Sequence, residues 1–270
     1  MDGTIELPGT LTLFCGVNAA GKTRLLNGIS YALETGAHPH LKLSGGQLPT
    51  SSRWIDTFWL LQRQRVSIGK DENLQDRVDA AGLTSLRAAE IRLGSYLLAR
   101  EYDDISVAEL EATDTDQALA EISPDDDTTK RALAYRSEVV PFFVVTRNGS
   151  TFDSRTLSQG ELAGLTLLWA LRQTGADEVS FIDEPEAFLS PLSAERALDL
   201  IAYFAAEHSA QCMVSSHSYL GLAAAPAEQL VLLHPTAPGQ VELRIGDAAT
   251  LWAALRIAPP KAIVMLVEDE

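Results

Sequence analysis

Apolar residues in this chain follow two rhythms, and the switches between them predict its elements. Short continuous apolar runs bounded by turn residues predict buried strands at 11–15, 139–145, 179–182, 211–215, 230–233 and 241–245. Residues 4–7 read as a further strand, forming an N-terminal β-hairpin with 11–15 across Pro8-Gly9, and 54–61 is also strand-like. Apolar positions three or four apart predict helices at 23–35, 160–173, 193–206 and 248–255. The polar, glycine-rich stretch 36–52 reads as a loop. Strands alternating with helices imply βαβ units, hence a mostly parallel sheet covered on both faces.

Residues 71–136 interrupt that alternation. Leu74, Val78, Leu83, Leu86, Ile91, Leu97 and Leu98 recur at roughly helical spacing, so a helical insert, or lobe, is expected there. It is also where the charge sits: residues 71–130 hold 16 acidic and 5 basic side chains, in a chain whose formal net charge is −16. So acidic a chain does not coat nucleic acid or anionic lipid through bulk charge; such contact requires a partner or a local basic cluster. Arg53, Arg63, Arg65 and Lys70 form the densest such cluster. With 270 residues and 46% apolar content, one large core plus an insert can be buried, which excludes wholesale disorder. Cys15 and Cys212 lie in apolar runs and read as buried free thiols of a reducing compartment. No apolar run reaches the ~18 residues of a membrane helix, and the opening MDGTIELPGT does not read as a signal peptide, so a cytoplasmic protein is expected.

The first chemistry-bearing motif is Gly16-Val17-Asn18-Ala19-Ala20-Gly21-Lys22-Thr23, which fits G-x-x-x-x-G-K-[ST] between a predicted buried strand and a helix. Small residues let the backbone curl so that its N–H groups face phosphate oxygens, and the helix adds the positive end of its dipole. Gly16, Asn18, Ala19, Ala20, Gly21, Lys22 and Thr23 are thus candidate nucleotide-binding residues, with Lys22 bridging the β- and γ-phosphates and Thr23 ligating Mg²⁺. A nucleoside triphosphate is the implied ligand.

Three further segments end at polar residues suited to that ligand. Val179-Ser180-Phe181-Ile182-Asp183-Glu184 is a strand delivering two carboxylates to the sheet edge where ligands collect. Asp183 suits the Mg²⁺ shell, and Glu184 suits polarisation of a water in line with the γ-phosphate. Cys212-Met213-Val214-Ser215-Ser216-His217 repeats the design, with His217 placed to donate to the γ-phosphate. Leu157-Ser158-Gln159-Gly160-Glu161 precedes a helix, with Ser158 at the N-cap and Gly160 allowing close backbone approach, a second anion site.

In this order the four motifs resemble those of an ATP-binding-cassette (ABC) ATPase head within the P-loop NTPases, and the resemblance covers nearly all of 1–270. It implies a homodimer that sandwiches ATP and Mg²⁺, with Ser158 and Gly160 acting in trans on the nucleotide of the partner head. It also implies a glutamine after an early strand that touches Mg²⁺ and the attacking water; Gln62 is the first candidate and Gln64 the second. The adenine-stacking aromatic of such heads has no evident counterpart. Asp183-Glu184-Pro185-Glu186-Ala187-Phe188-Leu189-Ser190-Pro191 resembles the D-E-P-E-x-x-L-H-P run of OLD-family and RecF-like ATPases, departing from it at Ser190. Only 134 residues separate Thr23 from Ser158, too few for the long coiled-coil arms of SMC-type ATPases.

Residues 259–270 resemble the first strand of a Toprim nuclease domain, whose Mg²⁺-binding glutamate would be Glu268, although Asp269 stands where that family has glycine. No later acidic pair follows, so a complete nuclease is not expected; the effector would be a separate protein or a Toprim domain beyond Glu270. The expected function is an ATPase that closes around ATP to drive or gate a DNA-processing or antiphage effector such as a nuclease. A transporter head working with a separate membrane subunit, and a slowly hydrolysing ATP sensor gating a toxin, are the alternatives.

Overall fold

The computed structural model describes residues 9–17, 20–36, 51–69, 71–112, 139–218, 222, 225–237 and 240–246. The predicted strand at 4–7, the helix at 248–255 and the strand at 259–270 with Glu268 lie outside those residues, as do Asn18, Ala19, Lys70 and 113–136 of the insert.

Two sheets organise the chain. The larger contains β1 (Leu11–Cys15), β2 (Ser51–Asp56), β7 (Glu178–Asp183), β8 (Gln211–Ser215), β9 (Leu230–Ala237) and β10 (Gln240–Ile245), in the order β10-β9-β1-β8-β7-β2. Every neighbouring pair is parallel except β9 with β10. The continuous apolar runs follow from that placement, because both faces are covered. Phe14, Phe181, Met213 and Val231 turn to one face, where Leu26 and Ile29 of helix α1 (Lys22–Thr35) pack. Leu13, Cys15, Ile182, Val214 and Leu232, offset by one residue, turn to the other. There they meet α5 (Gln159–Arg172) and α6 (Pro191–His208). Cys15 and Cys212 are buried free thiols whose pKa burial pushes up to about 12.

This is the α/β, mostly parallel fold expected of a P-loop ATPase head. Its parallel order also gathers the C-terminal ends of β1, β2, β7 and β8 along one edge, so residues remote in sequence converge there.

The structure departs from expectation in two places. The stretch 54–61 is not one strand: β2 stops at Asp56 and helix α2 (Thr57–Gly69) begins. Asp56 Oδ1 accepts the Trp59 N–H at 3.1 Å, a side-chain cap that turns an apolar run compatible with either element into a helix. The insert, in turn, is not purely helical. Helices α3 (Leu74–Ala81) and α4 (Ala88–Leu98) match the expected periodicity, but β3 (Thr84–Ser85) and β4 (Asp104–Glu111) are strands. They join β5 (Val139–Arg147) and β6 (Ser150–Asp153) in an antiparallel sheet ordered β3-β4-β5-β6. Ile105 and Val107 are buried on one face of β4 and Ala108 and Leu110 on the other, with exposed Glu109 and Glu111 between and after them, a spacing that also reads as amphipathic helix.

Candidate functional site

The phosphate loop leaves β1 at Gly16. Its φ is +154°, and a Cβ there would lie 2.6 Å from the Leu233 carbonyl oxygen of β9, so only glycine fits between those strands. The Ala20 N–H returns to the Val17 carbonyl at 3.1 Å, closing the turn, and Gly21 immediately precedes α1. Lys22 is 5% exposed on the first turn of that helix. Its ammonium donates to the carbonyls of Gly16 (3.1 Å) and Val17 (3.4 Å), so the cation curls back over the loop. Burial lowers its pKa, opposed by the charges of Glu184 and Asp183.

The predicted partners assemble around this amine. Lys22 Nζ lies 3.3 Å from His217 Nδ1, and His217 Nε2 lies 2.6 Å from Glu184 Oε1. One tautomer satisfies the whole chain: the ammonium donates to Nδ1, and Nε2–H donates to the carboxylate. The histidine's hydrogen bond holds the Glu184 pKa below the usual carboxylate value; burial opposes this, and the charge of Lys22 reinforces it. Glu184 has φ +48°, a left-handed backbone that costs a non-glycine residue energy and turns its side chain out of the strand direction. Its N–H is held by the Ser215 carbonyl (3.1 Å) and hydroxyl (3.3 Å).

Thr23 and Asp183 meet as well. Thr23 Oγ1 donates to Asp183 Oδ1 at 3.2 Å, and Ser215 Oγ donates to that same oxygen. An alcohol and a carboxylate converging beside a phosphate loop fit a hard divalent cation such as Mg²⁺, which ordinarily takes few protein ligands together with waters and phosphates. Among the described residues no cluster of three or more His, Cys, Asp or Glu is arranged to hold a metal by itself.

Ser158 and Gly160 lie at the other end of the expected machinery. Ser158 caps α5 in a capping box: its hydroxyl accepts the Glu161 N–H at 3.3 Å, and its own N–H reaches Glu161 Oε2 at 3.3 Å. A Cβ on Gly160 would sit 3.1 Å from the Phe188 carbonyl oxygen, so the loop after β7 lies against this helix end. The hydrogen bonds of Ser158 run to Glu161 and not to Lys22 or Asp183.

The two glutamine candidates both lie on helix α2. Gln62 is half-buried within α2, not in a loop after a strand, and shows no bond to Thr23 or Asp183 among the described residues. Gln64 is buried and its Nε2 donates to the Pro141 carbonyl at 2.6 Å, tying α2 to β5. The end of the early strand carries Asp56 instead, in register with Asp183. Of the basic cluster, Arg53 pairs with Glu178 (3.3 Å) and Arg63 is 6% exposed, while Arg65 is exposed on α2.

Glu186, the second glutamate of the Asp-Glu-Pro-Glu run, has a role that the sequence motif does not assign. Glu186 Oε1 accepts from Ser216 Oγ (2.9 Å), the His217 N–H and the Ser218 N–H (3.1 Å). The Ser216 N–H in turn reaches the Phe14 carbonyl at 3.2 Å. One carboxylate thus fixes the segment that carries His217, and two β-strand ends are tied to it. The signal was present: a second acid two residues beyond the first pair, in a loop facing the end of another strand.

The fold and this edge have the architecture of a P-loop NTPase. A profile of the family described as "AAA domain, putative AbiEii toxin, Type IV TA system" matches residues 84–223, a little over half of the chain, and the protein belongs to that family. No curated protein matches. Solved structures similar to it include an SMC head domain from Thermotoga maritima (16% identity, 71% of this chain and 52% of that one, TM-score 0.37). UvrA2 from Deinococcus radiodurans is another (16% identity, 92% and 37%, TM-score 0.42). A third is an SMC head bound to the C-terminal winged-helix domain of ScpA (10% identity, 89% and 91%, TM-score 0.48). The chain spans about half the length of the Thermotoga head and about a third of UvrA2. Among the described residues no helix is long and apolar enough to cross a membrane.

Proposed function

We propose that this protein is an ATP-hydrolysing ABC-type head that pairs with a second copy of itself around ATP and Mg²⁺, and thereby gates an effector acting in antiphage or DNA-processing defence. The observation that carries it is the bonded chain from Lys22 through His217 to Glu184, set beside the Thr23–Asp183 pair. Thr23 and Asp183 would hold Mg²⁺, which supplies charge neutralisation of the phosphates. Lys22 would leave the carbonyls of Gly16 and Val17 for phosphate oxygens, stronger acceptors for an ammonium. Glu184, bonded to His217, would accept a proton from water, a step worth ~10²–10⁴-fold in rate for a positioned base. His217, released from Glu184, would donate to the γ-phosphate. Ser158 and Gly160 at the α5 N-terminus offer that phosphate, held by a partner head, a hydroxyl and a helix dipole.

The toxin wording of the family description and the D-E-P-E run both favour a defence setting. The resemblance to OLD-family and RecF-like ATPases makes a separate nuclease, or a Toprim domain joined to the chain, the effector of choice, with DNA contact made by that partner. Light scattering coupled to gel filtration tests the pairing: Glu184→Gln should be a monomer without nucleotide and a dimer with ATP–Mg²⁺. A monomer in both conditions, or a dimer in both, would overturn the reading. The toxin-gating alternative keeps the same site with slow turnover, and the rate of phosphate release by the wild-type protein separates the two.

A further inference from the structure

Glu161 gathers more donors than a helix cap requires. Its Oε2 takes the N–H (3.3 Å) and the hydroxyl (2.9 Å) of Ser158. Its Oε1 takes Arg100 Nη1 (2.8 Å), Tyr102 Oη (2.9 Å) and Arg147 Nη1. The residue is 6% exposed. Arg100 and Tyr102 lie between α4 and β4, and Arg147 ends β5, so all three belong to the part of the chain that carries the antiparallel sheet. Arg147 is itself fixed over the Phe152 ring, 4.4 Å from its centre.

This crowding decides what the serine is free to do. Ser158 turns its hydroxyl hydrogen onto Glu161 Oε2, so that hydroxyl is spent within its own chain. When it rotates away, Oε2 retains the Ser158 N–H and Oε1 retains two guanidinium donors and a phenol. The buried carboxylate stays satisfied, and releasing the hydroxyl therefore costs little. Without the two arginines, the buried charge would depend on Ser158 and hold its hydroxyl back.

We propose that Glu161 is a positioning residue through which the antiparallel sheet sets Ser158. Clamped by Arg100, Arg147 and Tyr102, it fixes the extended backbone of the N-cap serine (φ −63°, ψ 155°) and yields its hydroxyl to the phosphate of an ATP held by a second copy of the chain. This rests on the paired-head reading. A partner that draws Arg100 or Arg147 away would then block pairing without touching the nucleotide.

Sedimentation velocity with ATP–Mg²⁺ tests this in the Glu184→Gln background. Adding Glu161→Gln should weaken pairing tenfold or more, while single heads bind a fluorescent ATP analogue within twofold of their parent. Arg100→Gln, whose side chain is 47% exposed and so leaves folding intact, should weaken pairing in the same direction. Combined with Glu161→Gln it should add nothing, because both act through one contact. Unchanged pairing in Glu161→Gln overturns the proposal, as does a loss of nucleotide affinity equal to the loss of pairing. If Glu161→Gln does not fold, unchanged pairing in Arg100→Gln overturns it. If the Glu184→Gln parent never pairs, the paired-head reading falls and takes this proposal with it. Pairing that Ser158→Ala abolishes and Glu161→Gln preserves sinks this proposal alone.

Discussion

Replacing Glu186 with alanine removes its carboxylate and the three hydrogen bonds that Oε1 accepts: those from Ser216 Oγ at 2.9 Å, the His217 N–H, and the Ser218 N–H at 3.1 Å. Bonds to a charged acceptor are worth ~1.5–3 kcal/mol each when fully buried. Glu186 is only half-buried, and water can take over the freed N–H groups, so we expect about 1–2 kcal/mol of lost stability in all. For a chain of this size that is a fall in Tm of about 2–8 °C. The functional effect should be larger in kind, because the freed segment carries His217, which bridges Lys22 and Glu184. A displacement of that ring predicts a kcat lower by ~10–100-fold, equivalent to ~1.4–2.7 kcal/mol of barrier, with KM for ATP within threefold. Glu186→Gln keeps a carbonyl oxygen in the same place and should recover most of the rate. Phosphate-release kinetics and differential scanning fluorimetry on both variants measure these quantities. If Glu186→Ala lowers Tm yet leaves kcat within twofold, the residue props up the loop and nothing more; equal damage from Glu186→Gln would show that geometry is not the issue.

Two other outcomes follow from the packing and the charges. Gly16→Ala puts a methyl group 2.6 Å from the Leu233 carbonyl oxygen, an overpacking cost of ~1–3 kcal/mol that pushes the loop off β9. Binding of a fluorescent ATP analogue should be lost, and binding as tight as wild type would contradict the strand-to-loop geometry. Burial alone would raise the pKa of Glu161, but the hydrogen bonds from Ser158 and Tyr102 and the charge of Arg100 lower it below the usual value of 4.5. A depressed folded pKa means stability that is present above the unfolded value and lost as pH falls through the folded one. Urea unfolding between pH 3 and 6 should therefore show stability rising with pH, with a shallower slope in Glu161→Gln; identical slopes would refute the assignment.

What was legible in the sequence was whatever depended on near neighbours. Gly16 through Thr23 is one contiguous loop, and the runs into Asp183 and His217 are apolar because parallel strands are buried on both faces. Ser190, which looked like a departure from the D-E-P-E run, has a local reason: it caps α6, accepting the Ser193 N–H at 3.2 Å ahead of Pro191. The antiparallel sheet was missed despite one strong signal. Asn148 and Gly149 carry positive φ (48° and 71°) between β5 and β6, the two-residue turn that an Asn-Gly pair announces. The strands it joins gave less away, because β4 mixes acids with branched apolar residues at intervals a helix could also use. Nothing local pointed to the clamp on Glu161, since Arg100 lies 61 positions from it and only the fold brings them together. The helical setting of Gln62 has the same origin. An apolar stretch compatible with strand or helix hid the cap at Asp56, and moving that boundary moved Gln62 into α2.

The most direct test of the account is the rate of phosphate release by Glu184→Gln, measured alongside its affinity for ATP–Mg²⁺. The rate should fall at least ~100-fold below wild type, as expected for loss of a positioned base, with affinity retained or increased. A wild-type rate in this variant would contradict the claim that the carboxylate bound to His217 activates the water.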